Sequence, residues 1–270
     1  MSNPAVLTLL AIFLWWFFTG AILLAVRWAD RQGGAAHGMV TVAGVPLLAL
    51  GTAGVILSLA GTSVWTVYAG FLGALAVWGW IELAFLTGII AGPERRTCPP
   101  GLSGWPRFWR AWGTVAHHEV ALTLGLTTLA LISAGAESKV ALWTYLILYV
   151  ARVSAKLNLF FGVPRINVEF IPARLSHIAS YFRRGPVTPA FPLAITFLSV
   201  ATGCFVERLI GADTAVTQAA WTLLATLSAL ALLEHWLMVV PLPDAKLWRW
   251  MLPAPKPETA TFPSEESPRP

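Results

Sequence analysis

The sequence predicts an all-α integral membrane protein of about seven transmembrane helices, and three observations predict it. Only 11% of the 270 residues are charged while 57% are hydrophobic, against roughly 25% and about 45–50% in a soluble domain. So little charge cannot cover a water-facing surface. Seven apolar runs have the length of about 20 residues that a helix needs to cross the hydrocarbon core. The bases fall between those runs, heavily on alternate connections, as loop charges that orient a membrane protein do. The implied partner is the lipid bilayer. The net charge of +5 is not a nucleic-acid signal, because the bases form no run.

The first span covers about Ala5–Val26 and is ended by Arg27, Asp30 and Arg31. No basic stretch precedes it, so it reads as an uncleaved span rather than a signal peptide. Spans two (about Met39–Ala60) and three (about Val64–Ala91) are separated only by Gly61–Ser63, a tight helical hairpin. The loop Gly92–Trp105, with P-E-R-R-T-C-P-P-G, is rich in helix breakers and bases. Span four covers about Phe108–Ser133 and span five about Val140–Gly162. Between spans five and six, Pro164–Pro189 is too polar to cross. Its apolar residues (Phe170, Ile171, Leu175, Ile178, Tyr181 and Phe182) recur among Arg174, His177, Arg183 and Arg184, the pattern of an amphipathic helix lying in the interface. Spans six and seven cover about Ala190–Ile210 and Ala215–Val240.

Residues 1–250 thus form one polytopic domain. Residues 251–270 form a tail in which six of the last eighteen residues are Pro, a composition that cannot bury a core and predicts disorder. The first, third and fifth connections and the tail carry most bases, from Arg27 and Arg31 through Arg95, Arg96 and Arg107 to Arg165, Arg174, Arg183 and Arg184. The opposite connections carry only Lys139 and Arg208. That asymmetry predicts a periplasmic N-terminus and a cytoplasmic C-terminus. Cys98 and Cys204 lie far apart without a CxxC, so neither a disulfide framework nor a structural zinc is indicated.

Against this topology, ionisable residues gather at one depth. Glu82, in W-G-W-I-E-L, stands about ten residues before the expected end of span three, roughly 15 Å deep at 1.5 Å per residue. His117, His118 and Glu119, in W-G-T-V-A-H-H-E-V-A-L, reach a similar depth from the same side. Arg152, Lys156 and Asn158 lie on the last turns of span five, and Glu234 and His235 near the end of span seven. Spans one, two and six offer no strongly polar partner there. Ionisable groups inside a bilayer are costly and by default mark function. His118 and Glu119, 100° apart, both reach one bundle interior, while His117 points further round.

Two readings of the cluster stay open. Glu82, His118, Glu119, Glu234 and His235 supply the carboxylates and imidazoles of a dinuclear metal site, iron being the natural metal, although the Glu-x-x-His spacing of the soluble helical cases is missing. Alternatively the acids pair with Arg152 and Lys156 and lock helices together, or those two bases snorkel to headgroups. Trp78, Trp80 and Trp236 flank Glu82 and His235, and with Lys156 and Asn158 would line a pocket for a flat pigment or quinone. The other tryptophans, Trp15 among them, read as an aromatic belt. His177 reads as a surface residue, and His37 as a loop residue without signal. No inverted repeat supports a transporter, and span seven has no Lys for a retinal Schiff base.

The strings W-G-W-I-E-L at 78–83, A-H-H-E at 116–119, A-K-L-N-L-F-F-G-V-P-R at 155–165, N-V-E-F-I-P-A-R-L-S-H-I-A-S-Y-F at 167–182 and E-H-W-L-M-V-V-P-L-P-D-A-K-L-W-R-W at 234–250 resemble the photosynthetic complex assembly family PuhE. The similarity runs from span one through Trp250. It implies a bacterial inner-membrane protein of purple phototrophs, associated with reaction-centre and light-harvesting assembly and with bacteriochlorophyll supply. The implied partners are the subunits of those complexes and pigment-synthesis enzymes. No catalytic residues come with the resemblance. The expectation is therefore an assembly factor, with a membrane-embedded metal-dependent oxidoreductase acting on a hydrophobic substrate such as a tetrapyrrole as the alternative.

Overall fold

The computed structural model describes residues 3–241, and all of its regular structure is helical. The tail at 251–270, and the belt residues Trp248 and Trp250, lie outside the described residues. Eight α-helices build seven spans: α1 (Pro4–Gln32), α2 (Ala36–Ala43) with α3 (Val45–Ser58), α4 (Val64–Leu86), α5 (Gly104–Ile132), α6 (Val140–Phe161), α7 (Ala190–Ile210) and α8 (Ala215–Leu237). Their starts carry the expected chemistry. Asn3 accepts the Ala5 N–H at 2.9 Å and Pro4 opens α1, while Ser63–Thr66 and Thr214–Thr217 form reciprocal caps on α4 and α8.

Span two is two helices rather than one. Pro46 cannot donate its backbone nitrogen, and the chain breaks at Gly44. Trp80 Nε1 donates to the buried Thr41 carbonyl at 3.1 Å beside the break. Below it, α3 and α4 meet through glycines: a Cβ on Gly73 would stand 2.7 Å from the Gly51 carbonyl and 2.8 Å from the Val55 nitrogen. Such close backbones give dispersion contact that the hydrophobic effect cannot supply inside lipid.

The two central helices are α4 and α8, with 67% and 56% of their apolar windows buried, against 17–28% for the other spans. Both stop short at the basic end of the bundle. The helix α4 ends at Leu86, not near Ala91, because Gly88 turns the backbone at φ +78°. Glu82 is thus four residues from the helix end, roughly 6 Å, rather than ten. Its neighbour His118 stands fourteen residues inside α5, roughly 21 Å from that helix's start. Similarly, Thr8 bonds Thr226 at 3.3 Å and Trp15 bonds Glu234 at 2.7 Å, so the parallel helix α1 runs far beyond α8. Two long helices overhang two short ones, and a notch lies between.

The segment 163–185 fills the mouth of that notch as a strap. The expected amphipathic helix is present as 3₁₀ turns, Val168–Phe170 and Ala173–Tyr181, and its apolar face packs on protein. Leu175 and Ile178 lie against Phe85 and Ala91. Both ends of the strap are tied together, since Val163 N–H donates to Arg183 O at 3.2 Å and Gly185 N–H to Val163 O at 3.1 Å. Arginines complete the job by donating to carbonyls that helix ends leave orphaned: Arg107 to Phe160 O and Tyr181 O (2.6 Å), Arg95 to Gly88 O (3.1 Å), Arg27 to Glu169 O (2.6 Å) and Arg174 to Gly34 O (3.1 Å). The basic loops are therefore staples as well as topological signals.

Candidate functional site

Three helices join in one chain of charged groups. Arg152 Nη2 of α6 donates to Glu82 Oε2 of α4 at 2.7 Å. Glu82 Oε1 faces His118 Nε2 of α5 at 3.5 Å. His118 Nδ1 lies 2.8 Å from the ammonium of Lys156, which also donates to Glu119 Oε1. An ammonium can only donate, so Nδ1 accepts and the imidazole proton sits on Nε2, toward Glu82. His118 is fully buried, its ring 4.2 Å from that of Phe85. The backbone N–H of His118 donates to Ala91 O at 3.2 Å, so the loop after α4 also holds the ring in register. Two carboxylates, two cations and one neutral imidazole balance to zero. That balance is what a bilayer demands of buried charge.

The polar chain forms one wall of a chamber of about 940 Å³. The helix α1 supplies Trp15, Phe18 and Ile22; α4 supplies Trp78, Gly79 and Glu82; α5 contributes Phe108, Trp112 and Glu119. Arg152, Lys156 and Phe160 of α6, Phe170, Ile171 and Leu175 of the strap, and Glu234 of α8 complete it. Its size is at the upper end of the roughly 300–1,000 Å³ of small-molecule sites, and it shares their plan of apolar walls with a few convergent polar groups.

The structure separates the expected site residues into three groups. Glu82, His118, Glu119 and Lys156 come together, with Arg152. Glu234 also faces the chamber, but on the α1 side, accepting from Trp15 Nε1 at 2.7 Å. His235 does not join them: it is buried, Nδ1 donating to Ala231 O at 2.8 Å and Nε2 2.8 Å from Ser154 Oγ. The five residues weighed for a metal thus share no centre. Arg152 and Lys156 occupy Glu82 and Glu119 instead, and among the described residues no three His, Cys, Asp or Glu side chains are grouped to hold a metal ion.

Of the expected pocket residues, Trp78 and Lys156 line the chamber, Trp78 packed edge-on against Tyr145 at 5.1 Å. Trp80 turns to α2, Trp236 packs on Phe191 on the exterior, and Asn158 is buried, donating to Ser154 O at 2.9 Å. His117 is exposed, as helical spacing requires.

Three residues have roles that the sequence reading did not give them. Trp15 is eleven residues inside α1, not at a membrane boundary. The Trp15–Trp16 doublet was the signal, since neighbours 100° apart put only one indole toward the interior. His37 is buried on α2 and meets Asp30 at 2.8 Å, while Asp30 also accepts from the Ala173 N–H at 3.2 Å, fixing the strap to the α1–α2 turn. His177 is buried in the strap at 8% exposure. Burial, with Arg95 nearby, pushes its imidazole below the usual value, partly offset by a backbone contact with Glu94.

The family model described as Protein of unknown function (DUF3623) matches residues 1–259. The chain belongs to the DUF3623 family. A Rhodobacter capsulatus protein, described as an uncharacterized 30.4 kDa protein in the puhA 5′ region, is 50% identical over 254 residues, 94% of this chain and 93% of the relative. Every helix described above lies within the residues that the DUF3623 family model matches. No solved structure matches the chain.

Proposed function

We propose that this DUF3623 protein is an inner-membrane assembly factor of the photosynthetic apparatus that holds a bacteriochlorophyll-type pigment in its chamber during supply to, or insertion into, reaction-centre or light-harvesting subunits. The observation that carries the proposal is the chamber itself: about 940 Å³, aromatic on several sides, with a neutral polar wall at one edge. A flat macrocycle with an apolar tail needs that combination of volume, ring faces and few polar contacts. The position of the 50%-identical relative beside puhA, in a photosynthesis gene region, supplies the biological setting. The basic end of the bundle, where the strap closes the chamber, is the cytoplasmic side on the charge rule. Pigment-synthesis enzymes would hand over their product there.

The test is the absorption spectrum of the full chain purified in mild detergent from a bacteriochlorophyll-producing host, beside Gly79→Phe. A Cβ at Gly79 meets only Ile22 Cδ1, at 3.6 Å, so the larger ring projects into the chamber without a backbone clash. Bacteriochlorin absorption in the wild type, lost in a Gly79→Phe protein of unchanged helicity, is the expected result. Wild-type protein that neither co-purifies with the pigment nor binds it when added would refute the proposal.

A further inference from the structure

The carboxylates of the chamber wall are not equivalent. Glu82 and Glu119 are committed to Arg152 and Lys156. Glu234 faces no cation within ion-pair distance among the described residues; its one hydrogen bond there is the Trp15 indole N–H on Oε1 at 2.7 Å. Among the described residues three acids and two bases line the chamber, and Glu234 is the acid without a base paired to it. Its neighbour His235 cannot share the charge, being tied to Ala231 and Ser154. A carboxylate at this depth is costly without an electropositive partner. The indole holds one oxygen in place and leaves the other for whatever occupies the chamber.

Resting on the pigment reading above, we infer that Glu234, oriented by Trp15, is the axial oxygen ligand for a magnesium-bearing tetrapyrrole, and that the chamber favours the neutral ester over a form with a free carboxylate. Magnesium is a hard cation that takes oxygen ligands, and Trp15 and Phe18 supply aromatic surface in the same chamber. The unpaired carboxyl disfavours an anionic ligand beside it and offers an oxygen to a metal centre. Glu234→Leu removes the ligand oxygen. Glu234→Gln keeps the shape and the indole contact while weakening the donor.

The experiment titrates the detergent-purified full chain with bacteriochlorophyll a, with metal-free bacteriopheophytin a and with bacteriochlorophyllide a, following tryptophan quenching and pigment absorption. The wild type should bind the magnesium ester about 10-fold or more tighter than either other pigment, which is about 1.4 kcal/mol. Glu234→Leu should erase the preference for magnesium while still binding both esters, and Glu234→Gln should fall between. Equal wild-type affinity for the magnesium and metal-free rings, or an undiminished preference in Glu234→Leu, overturns the assignment while leaving the pigment reading intact. Tighter binding of the free acid overturns the charge argument. If no pigment binds the wild type, both the assignment and the reading beneath it fall.

Discussion

Replacing Arg152 with Met leaves Glu82 facing only His118, at 3.5 Å, inside the central helix. The Arg152–Glu82 contact is 2.7 Å, with 33% and 10% of the two side chains exposed. At an effective dielectric constant of about 20 the attraction is about 6 kcal/mol. Screening of the one-third-exposed guanidinium reduces it by roughly half, which brings it to the ~3–5 kcal/mol measured when one partner of a buried pair is removed. The double change Arg152→Met with Glu82→Gln removes both charges, so it should cost little more than either single change, a coupling of about 2–3 kcal/mol. Unfolding in mixed dodecyl maltoside–SDS micelles, followed by tryptophan fluorescence, measures all four corners of the cycle. Additive single changes, with a coupling below about 0.5 kcal/mol, would mean that Arg152 snorkels to the headgroups. The charge chain would then be broken at its first link.

Other consequences are equally direct. Gly73→Ala sets a methyl 2.7 Å from the Gly51 carbonyl and should cost about 1–3 kcal/mol as overpacking, whereas Gly203→Ala, with nothing within 4 Å, should be neutral or stabilise α7 by up to about 1 kcal/mol; the same micelle unfolding separates them. The charge-rule topology predicts that Cys98 of the basic loop, half-buried beside Ser180, reacts with a membrane-impermeant maleimide only in inverted vesicles in a Cys204→Ser background. Labelling from the periplasmic side would reverse the topology. Burial and Arg95 hold the His177 imidazole below its usual value near 6.5, so the unfolded strap takes up a proton that the folded strap refuses. Its stability is full above about pH 6.5 and falls as the pH drops below that value. The protection of residues 173–181 against hydrogen exchange, taken relative to the intrinsic rate at each pH, should fall on acidification in the wild type and not in His177→Gln; equal pH dependence in both would show that His177 does not set it.

The seven spans were legible because length and hydropathy are one-dimensional properties, and α7 matches its expected limits to the residue. Depth was legible in part: it set Glu82, His118, Glu119, Arg152 and Lys156 at one level, with Asn158, Glu234 and His235, but it placed Glu82 ten residues from the end of its span where α4 ends after four. Azimuth was not. Nothing in the hydropathy of span seven separates Glu234, which faces the chamber, from His235, which faces Ser154, and the Trp15 partner of Glu234 lay in a span read as offering no strongly polar partner. Helix ends were the other blind spot. Ile89, Ile90 and Ala91 keep the hydropathy high after Gly88 has already turned the chain. The amphipathic pattern of 164–189 was real, but it could not say whether its apolar face meets lipid or protein. Pro172 and the tie between Val163 and Arg184 make it a 3₁₀ strap.

A polar cluster that only locked helices would be packed dry, and this one is not. Other contacts also lock the helices, the glycine-lined α3–α4 contact and the arginines on backbone carbonyls among them. The charge chain instead leaves the flanks of Arg152 and Lys156 open to the chamber, with 33% and 21% of their side chains exposed, and both cations lie within 6 Å of the Phe85 ring centre. Pairing every charge while keeping the pairs at a cavity wall makes that wall polar without making it charged, a surface that suits a ligand with few hydrogen-bonding groups. Glu234 departs from this pattern: it accepts from Trp15 of α1, and no described cation lies within ion-pair distance of it. One unpaired carboxyl beside the balanced pairs gives the cavity a direction. An occupant with one electropositive centre in an apolar body has one preferred way to lie in it.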